Sequence, residues 1–465
     1  MIYFLIKLNP KSFTNKINHK FTVQLKDKDD YNKKFKDAWD LSDINIYQTN
    51  YSEFDWLNEI GFWKGIFNRY EKSFKLTDEL YTKNEFNLYY DNPEYKIFND
   101  THFNYIFNTI YDIYIKIYKN LGLLEENSNE YIMNNFDTVF FQKLIIKDKN
   151  PSIFFIGDIH SSFHSILFLI LELIYKDKTP FEENSLKLKE GNYIIFTGDL
   201  VDRGPYSLEV LAFVLVLKIN NPNNVIIIKG NHENYSTYSY YYSPQAGTSQ
   251  EASYQLSQDI ETKMNKILNL FPVVLFIKFD DTWYQACHGA IDFDYTGYNI
   301  YSKKFNLKVS DVNNFLKSDK DFCKPVLKNR DINQFQWGDF VPDGNDEINI
   351  SGRLNLKSDT LEKYLDLHNI KTIISGHQDN VPFALVPNLN DYIYYKESLR
   401  KKSEYNGLYE IDCHKTKLKT KGNCRVKYEF TNDKRDFLAC TLSTAVISKP
   451  KLNKYHSYGV LRHNI

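Results

Sequence analysis

Three short apolar runs between residues 153 and 233, each closed by glycine and a polar cluster, restrict this chain more than any other feature. They read Ile153-Phe-Phe-Ile-Gly-Asp158-Ile-His160, Tyr193-Ile-Ile-Phe-Thr-Gly-Asp199-Leu-Val-Asp202-Arg203-Gly204 and Val225-Ile-Ile-Ile-Lys-Gly-Asn231-His232-Glu233. Short, β-branched or aromatic runs bounded by glycine predict buried strands. The apolar stretches between them, 163–175 and 207–219, are long enough for helices, so the order is strand, helix, strand, helix, strand. A parallel βαβαβ unit of this kind carries its polar clusters beyond the carboxyl ends of neighbouring strands, where open α/β sheets bind ligands.

Asp158, His160, Asp199, Asn231 and His232 are therefore expected to converge. Hard oxygen donors mixed with imidazole, with no thiolate among them, suit manganese, iron or zinc in a catalytic setting better than a structural zinc knot. Further along, 261–270 reads as a helix, and 273–279 and 283–287 as strands around a turn at Asp280-Asp281, the second strand ending in His288-Gly289. Another short apolar strand, Lys371-Thr-Ile-Ile-Ser, ends in Gly376-His377-Gln378. As further strand ends, His288 and His377 join the ligand set. His164 and His368 lie in helical patterns and read as structural, and Cys287 reads as a small buried residue.

At 465 residues the chain exceeds a typical single domain, so a catalytic domain plus an accessory one is expected. Residues 1–135 are rich in aromatic residues. After Asp100-Thr101, Phe103, Ile106, Phe107, Ile110, Tyr111, Tyr114 and Ile117 recur at helical spacing as far as a stop at Gly122. This segment is expected to be mainly helical and accessory, and to be where a protein partner would dock. The catalytic domain is placed at 140–462, with a basic insertion at about 388–434 expected to present a solvated face. The polar aromatic loop that follows Glu233, up to Pro244, would lie beside the strand ends, where it would either line a substrate groove or pack on its own domain as a surface insertion.

A net charge of −1 gives no general attraction to nucleic acid or to anionic membranes. No apolar run reaches the length of a membrane span, and the brief apolar start, interrupted by Lys7, does not resemble a signal peptide. The five widely spaced cysteines suggest neither a disulfide framework nor a zinc site. A cytoplasmic protein with reduced thiols is the expectation.

With GDIH, GDLVDRG, GNHE, HG and GHQ in this order, the chain resembles the PPP family of phosphoprotein phosphatases within the calcineurin-like metallophosphoesterases. That resemblance implies an α/β fold, a calcineurin-like αββα sandwich, here with the additional mainly helical N-terminal domain. It implies two divalent or trivalent metal ions, manganese foremost, with iron or zinc as the other candidates. Asp158 and His160 would hold one ion, Asp199 would bridge, and Asn231, His288 and His377 would hold the second. His232 would be the proton donor oriented by Asp202. Arg203 would grip the phosphate, assisted by Arg353, which follows a Trp337-Gly-Asp339 similar to a family Trp-x-Asp stretch.

The chemistry requires such residues. Two cations about 3.5–4 Å apart hold a hydroxide between them and neutralise phosphate oxygens for in-line attack. Guanidinium groups bind phosphate bidentately, and an imidazole can protonate the departing oxygen. The implied activity is hydrolysis of phosphoserine, phosphothreonine or phosphotyrosine in a phosphorylated protein. Diadenosine tetraphosphate hydrolases share a Gly-Asp-Leu-Val-x-Arg-Gly-Pro stretch matched by residues 198–205 and form the alternative enzyme reading, which Asp202 and Glu233 disfavour. A non-catalytic binding protein on this fold is disfavoured because no ligand position is lost. A cysteine-based phosphatase is set aside, since Arg330 follows Cys323 one residue too late for a Cys-x5-Arg loop and no glycine accompanies it.

The chain also departs from the family pattern. Ser161-Ser162 stands where a glycine is common after GDIH, and Ala290 replaces a second glycine. Val446-Ile447-Ser448 replaces the Pro-Asn-Tyr that usually follows the closing strand, resembled here by Thr441 to Ala445, so the tyrosine that overhangs the site in eukaryotic relatives is missing there.

Overall fold

A computed structural model of the chain describes residues 18–27, 98, 100–122, 140–174, 179–183, 185–202, 206–233, 256–291, 309–323, 334–341, 347–348, 352–378, 383–385, 392–394, 410–413, 424–431, 439–442 and 455–463. Arg203 and the aromatic loop after Glu233 lie outside these described residues.

The chain opens with strand β1 (Asn18–Asp27), helix α1 (Asp100–Asn120) and strand β2 (Phe141–Ile146). The unit expected from the three glycine-bounded runs follows: β3 (Ser152–Ile156), α2 (Phe163–Ile174), β4 (Asn192–Phe196), α3 (Ser207–Asn220) and β5 (Val225–Ile227). Next come α4 (Gln258–Leu270), the hairpin β6 (Val274–Phe279) and β7 (Thr282–Cys287), α5 (Val309–Lys317), β8 (Phe322–Cys323) and the single turn α6 (Gln334–Trp337). Short strands β9 (Asp339–Val341), β10 (Glu347–Ile348) and β11 (Leu354–Lys357) lead into α7 (Ser358–His368) and β12 (Ile370–Ser375). The remaining described strands are β13 (Phe383–Leu385), β14 (Tyr392–Tyr394), β15 (Glu410–Cys413), β16 (Cys424–Thr431), β17 (Ala439–Thr441) and β18 (Tyr455–His463).

The fold is α/β with two large mixed sheets, ordered β15-β16-β1-β18-β3-β4-β5 and β14-β13-β17-β12-β7-β6-β2-β8. Strands β9 to β11 form a separate small sheet. β3, β4 and β5 pair in parallel, as do β7 and β12, so the ends bearing Asp158, Asp199 and Asn231 are neighbours in one sheet and those bearing His288 and His377 in the other.

Alternation along the strands sorts the core. Phe154, Ile156, Ile194 and Phe196 pack with residues of α1, α2, α3 and α4, whereas Ile153, Phe155 and Ile195 point the other way and meet Leu275, Ile277, Ala286 and Ile374 of the second sheet. The far side of that second sheet, through Val274, Phe276 and Ile373, packs on Phe315 of α5 and on Leu361, Tyr364 and Leu365 of α7. Helix α3 is buried from Ser207 to Lys218, which explains why its sequence is apolar all round.

Helix α1 confirms the aromatic stripe. Phe103, Ile106, Phe107, Ile110 and Tyr114 are buried against α3 and α4, while Tyr111 and Ile117 lie half-buried at the edge. Tyr118 donates its hydroxyl to the Leu270 carbonyl at 2.5 Å and stacks on Phe140 at 4.1 Å between ring centroids. Gly122 ends the helix at φ 63°, a left-handed turn that favours glycine. β1 lies between β16 and β18, both antiparallel to it. The described strand and helix of the first 135 residues are thus built into the same layers as the rest.

Phe107→Ala should therefore lower the unfolding free energy by about 3–5 kcal/mol in urea titrations, whereas Tyr105→Ala, on the exposed side of α1, should stay within about 0.5 kcal/mol. Equal, small effects at both positions would show that α1 contributes nothing to the core.

Candidate active site

The ends of the parallel strands approach so closely that side chains are excluded at defined points. Gly198 has φ 100°, and a Cβ there would sit 2.6 Å from the Gly230 backbone. A Cβ on Gly376 would collide with Asp158 Oδ1. These glycines let the β4, β5 and β12 turns close on one another. His160, Ser161, Asp199, Asp202 and His377 all have left-handed backbones, with φ of 44°, 57°, 52°, 66° and 76°. Each such non-glycine conformation costs roughly 1–2 kcal/mol, which surrounding contacts must offset.

Backbone hydrogen bonds supply some of that support. The N–H groups of Ile159 and His160 both donate to the Asp199 carbonyl at 2.9 Å, and the His377 N–H donates to both Asp158 carboxylate oxygens at 3.0 and 3.1 Å. Asp199 Oδ1 accepts from the His232 N–H at 3.0 Å, leaving Oδ2 toward the imidazoles.

Three imidazole nitrogens surround that second oxygen. His288 Nε2 lies at 3.1 Å, His160 Nε2 at 3.5 Å and His232 Nε2 at 3.8 Å from Asp199 Oδ2. Asn231 Oδ1 lies 2.9 Å from both His288 Nε2 and His377 Nδ1, and Asp158 Oδ2 lies 3.9 Å from His160 Nε2. The tautomers follow from the partners, because a carbonyl can only accept. His160 Nδ1 donates to the Val201 carbonyl at 3.2 Å and His288 Nδ1 to the Thr197 carbonyl at 2.9 Å, which directs both Nε2 atoms into the cluster.

Two groups of donors, His160/Asp199/His232 and Asp199/His288/His377, each come together within 4.8 Å and share Asp199. Ligand atoms about 2.1 Å from one ion and at right angles stand about 3.0 Å apart, the spacing seen around Asn231 and His288. Among the described residues, the buried Nε2 of His377 has no hydrogen-bond partner. Oxygen and imidazole donors without sulfur, an orphaned buried nitrogen and one shared carboxylate fit a pair of metal ions.

The charges agree. Burial opposes ionisation of Asp199, but His288, His232 and His160 hold its carboxyl well below the usual range. Burial likewise opposes the charged form of His288, yet Asp199, Asp158 and Glu233 outweigh it and raise the ring to about 9. Burial, then His288 and Arg353, keeps His377 well below its ordinary value and so neutral.

On its other ring nitrogen, His232 pairs through Nδ1 with Asp202 Oδ2 at 2.9 Å. Arg353 stands at the rim with its guanidinium 4.9 Å over the Trp337 ring and Nη1 4.0 Å from Asp339 Oδ2, while Asp339 Oδ1 lies 3.6 Å from His377 Nε2. The structure thus brings together Asp158, His160, Asp199, Asp202, Asn231, His232, His288 and His377, with Arg353 at their edge. His368 lies elsewhere, paired with Asn313 Oδ1 at 2.9 Å. Cys287 is a buried thiol that burial pushes up to about 12, outside the donor cluster.

Glu233, to which the motif gives no role, is fully buried and accepts three backbone N–H groups. Oε2 takes those of Asp199 at 2.9 Å and Gly230 at 2.7 Å, and Oε1 that of Leu200 at 2.8 Å. Burial and the Asp199 charge raise its pKa, against the pull of His288 and of the Leu200 and Asp199 N–H groups. Gln336, also not anticipated, donates to the Gly230 carbonyl at 2.6 Å, and Gln378 exchanges two hydrogen bonds with the Phe340 backbone at 3.0 and 3.1 Å. The available signal for Glu233 was its place directly after Asn231 and His232 in a glycine-bounded turn.

Residues 151–379 match the calcineurin-like phosphoesterase family, and the chain is a calcineurin-like metallophosphoesterase. It is also distantly similar to PPP serine/threonine phosphatases. Over 139 residues it is 33% identical to the serine/threonine-protein phosphatase PP2A-like PPG1 of Candida albicans, covering 29% of this chain and 28% of that protein. Over 122 residues it is 30% identical to the serine/threonine-protein phosphatase PP1-1 of Saccharomyces cerevisiae, covering 26% of this chain and 35% of that protein. The chain thus spans about a third of the length of these curated relatives. Among solved structures, a protein serine/threonine phosphatase from Saccharomyces cerevisiae with similarity to human phosphatase PP5 aligns at TM-score 0.39 and 21% identity, covering 59% of this chain and 71% of that one.

Glu233→Gln replaces a carboxylate oxygen that accepts backbone N–H groups by an NH2 that cannot. Calorimetric metal titration should show at least tenfold weaker binding, about 1.4 kcal/mol or more, with a lowered Tm. Unchanged metal affinity would remove Glu233 from the support of the site.

Proposed function

We propose that this protein is a metal-dependent phosphoprotein phosphatase, and that a single observation supports the reading above others: two donor groups share buried Asp199, and His232, a member of one of them, is paired through Nδ1 with Asp202. Asp158, His160 and Asp199 are assigned to one ion, and Asp199, Asn231, His288 and His377 to the other. When bound, such a pair supplies Lewis-acid polarisation of the phosphate and a water of lowered pKa.

The chain's own residues do the rest. Asp202 accepts a hydrogen bond from His232 Nδ1–H, fixes the ring and stabilises its doubly protonated form. The Nε2 proton of that form passes to the leaving oxygen as water oxygen attacks phosphorus and the ester P–O bond breaks, a proton of that water then restoring the ring. Arg353, stacked on Trp337, and Arg203 are assigned to hold the phosphate oxygens. Burial of Asp199, His160 and His288 strengthens the electrostatic contacts among them.

The surrounding architecture is assigned as an αββα sandwich, with the first 135 residues in a supporting and regulatory part. A phosphorylated protein as substrate is favoured over a dinucleotide by Asp202 and Glu233, and by the likeness to serine/threonine phosphatases. No helix among the described residues is long and apolar enough to cross a membrane.

Asp199→Asn should lose bound metal and turnover together, by elemental analysis and phosphate release. His232→Asn should keep the metal while lowering kcat about 100- to 10,000-fold on alkyl phosphates and less on nitrophenyl phosphate, whose leaving group needs no proton. Hydrolysis by wild type that survives complete chelation would contradict the reading. Across phosphoserine, phosphothreonine and phosphotyrosine peptides and diadenosine tetraphosphate at equal metal loading, a peptide should have the highest kcat/KM. A far higher value for the dinucleotide would replace the substrate assignment.

A further inference from the structure

We infer that Ser161 and Ser207 are positioning residues of the reaction: their hydroxyls close a hydrogen-bonded ring on the Asp202 backbone and so hold the carboxylate that orients His232. The inference rests on the proposed function, in which His232 is the general acid and Asp202 its orienter.

The ring is readable atom by atom. The Asp202 N–H donates to Ser207 Oγ at 3.1 Å, and Ser161 Oγ donates to the Asp202 carbonyl at 2.9 Å. The two hydroxyls are 2.6 Å apart. A serine has one hydroxyl proton, and a carbonyl can only accept, so the proton of Ser161 is committed to Asp202 and Ser207 is the donor between the hydroxyls. All three residues are buried, at 0 to 1% exposure, so water does not compete for these bonds.

The ring joins three segments: the turn after β3, the turn after β4 and the first residue of α3. It clamps Asp202 at both its N–H and its carbonyl, where φ is 66°. One residue's backbone orientation then sets where its carboxylate lies, and that carboxylate is 2.9 Å from His232 Nδ1. Ser161 is itself left-handed, at φ 57°, although glycine would adopt that backbone without a Cβ penalty. A serine held there at a conformational cost points to use of its hydroxyl. Ser161→Gly removes the hydroxyl and relieves the backbone together, which separates positioning from stability.

The test measures kcat for aryl phosphates whose leaving phenols span a wide range of acidity, for Ser161→Gly, Ser161→Ala, Ser207→Ala and Ser161→Ala/Ser207→Ala, with Asp202→Asn and His232→Asn as references. Metal content and Tm are recorded for each. The references should lose most on the poorest leaving groups. The serine variants should steepen the same dependence, with about a tenfold loss on the poorest leaving group and little on the best, at unchanged metal content. Ser161→Gly should do so without a large fall in Tm, and the double variant should lose no more than either single one, because one ring is broken in each case. Equal loss across all leaving groups, or none, in the serine variants while the references behave as stated would overturn the inference alone. References that show no leaving-group dependence would overturn the general-acid assignment and, with it, this inference.

Discussion

The arrangement depends on a buried carboxylate that must be shared. Asp199 Oδ2 lies within 3.1 to 3.8 Å of three imidazole nitrogens, and Asp199 is 1% exposed. An ionised carboxylate at that depth costs several kcal/mol unless positive charge and hydrogen bonds surround it. The fold meets this with His232 N–H on Oδ1 and with imidazoles on Oδ2. Asp158, Asp202 and Glu233 add further buried negative charge close by, so the same point favours cations.

Holding such groups together requires the polypeptide to bring strand ends from two sheets into contact. The parallel order β3-β4-β5 and the parallel pair β7–β12 put five turns around one place, and Gly198, Gly230 and Gly376 remove the side chains that would keep them apart. A second layer then fixes the turns. Glu233 gathers three backbone N–H groups, Gln336 holds the Gly230 carbonyl, and the Ser161–Ser207 pair grips Asp202. Their partners are mostly backbone atoms, so this layer sets geometry while the donor side chains remain available for ligands.

The donor cluster was legible in sequence because each member follows a short apolar run closed by glycine, and that local signal survives without knowledge of the fold. The helical stripe from Phe103 to Tyr114 was legible for a similar reason, its 3.6-residue period marking one buried face. Glu233 and Ser161 were not, since their partners lie 33 to 46 positions away in several cases and follow from how turns dock. The position of Asn18–Asp27 between Cys424–Thr431 and Tyr455–His463 was equally hidden. Pairing across so long a loop leaves no periodic trace in either segment. Arg353 was suggested by the resemblance of the preceding Trp337-Gly-Asp339 to a family Trp-x-Asp stretch, and in the structure its guanidinium stacks on the Trp337 ring.

The most direct test of the central claim, that Asp199 is a carboxylate shared by two ions, is anomalous X-ray diffraction from crystals of the metal-loaded protein at the absorption edge of the bound element. Two peaks about 3.5–4 Å apart are expected, both next to the Asp199 carboxylate, one toward Asp158 and His160 and the other toward Asn231, His288 and His377. A single peak, or a pair that does not share Asp199, would contradict it.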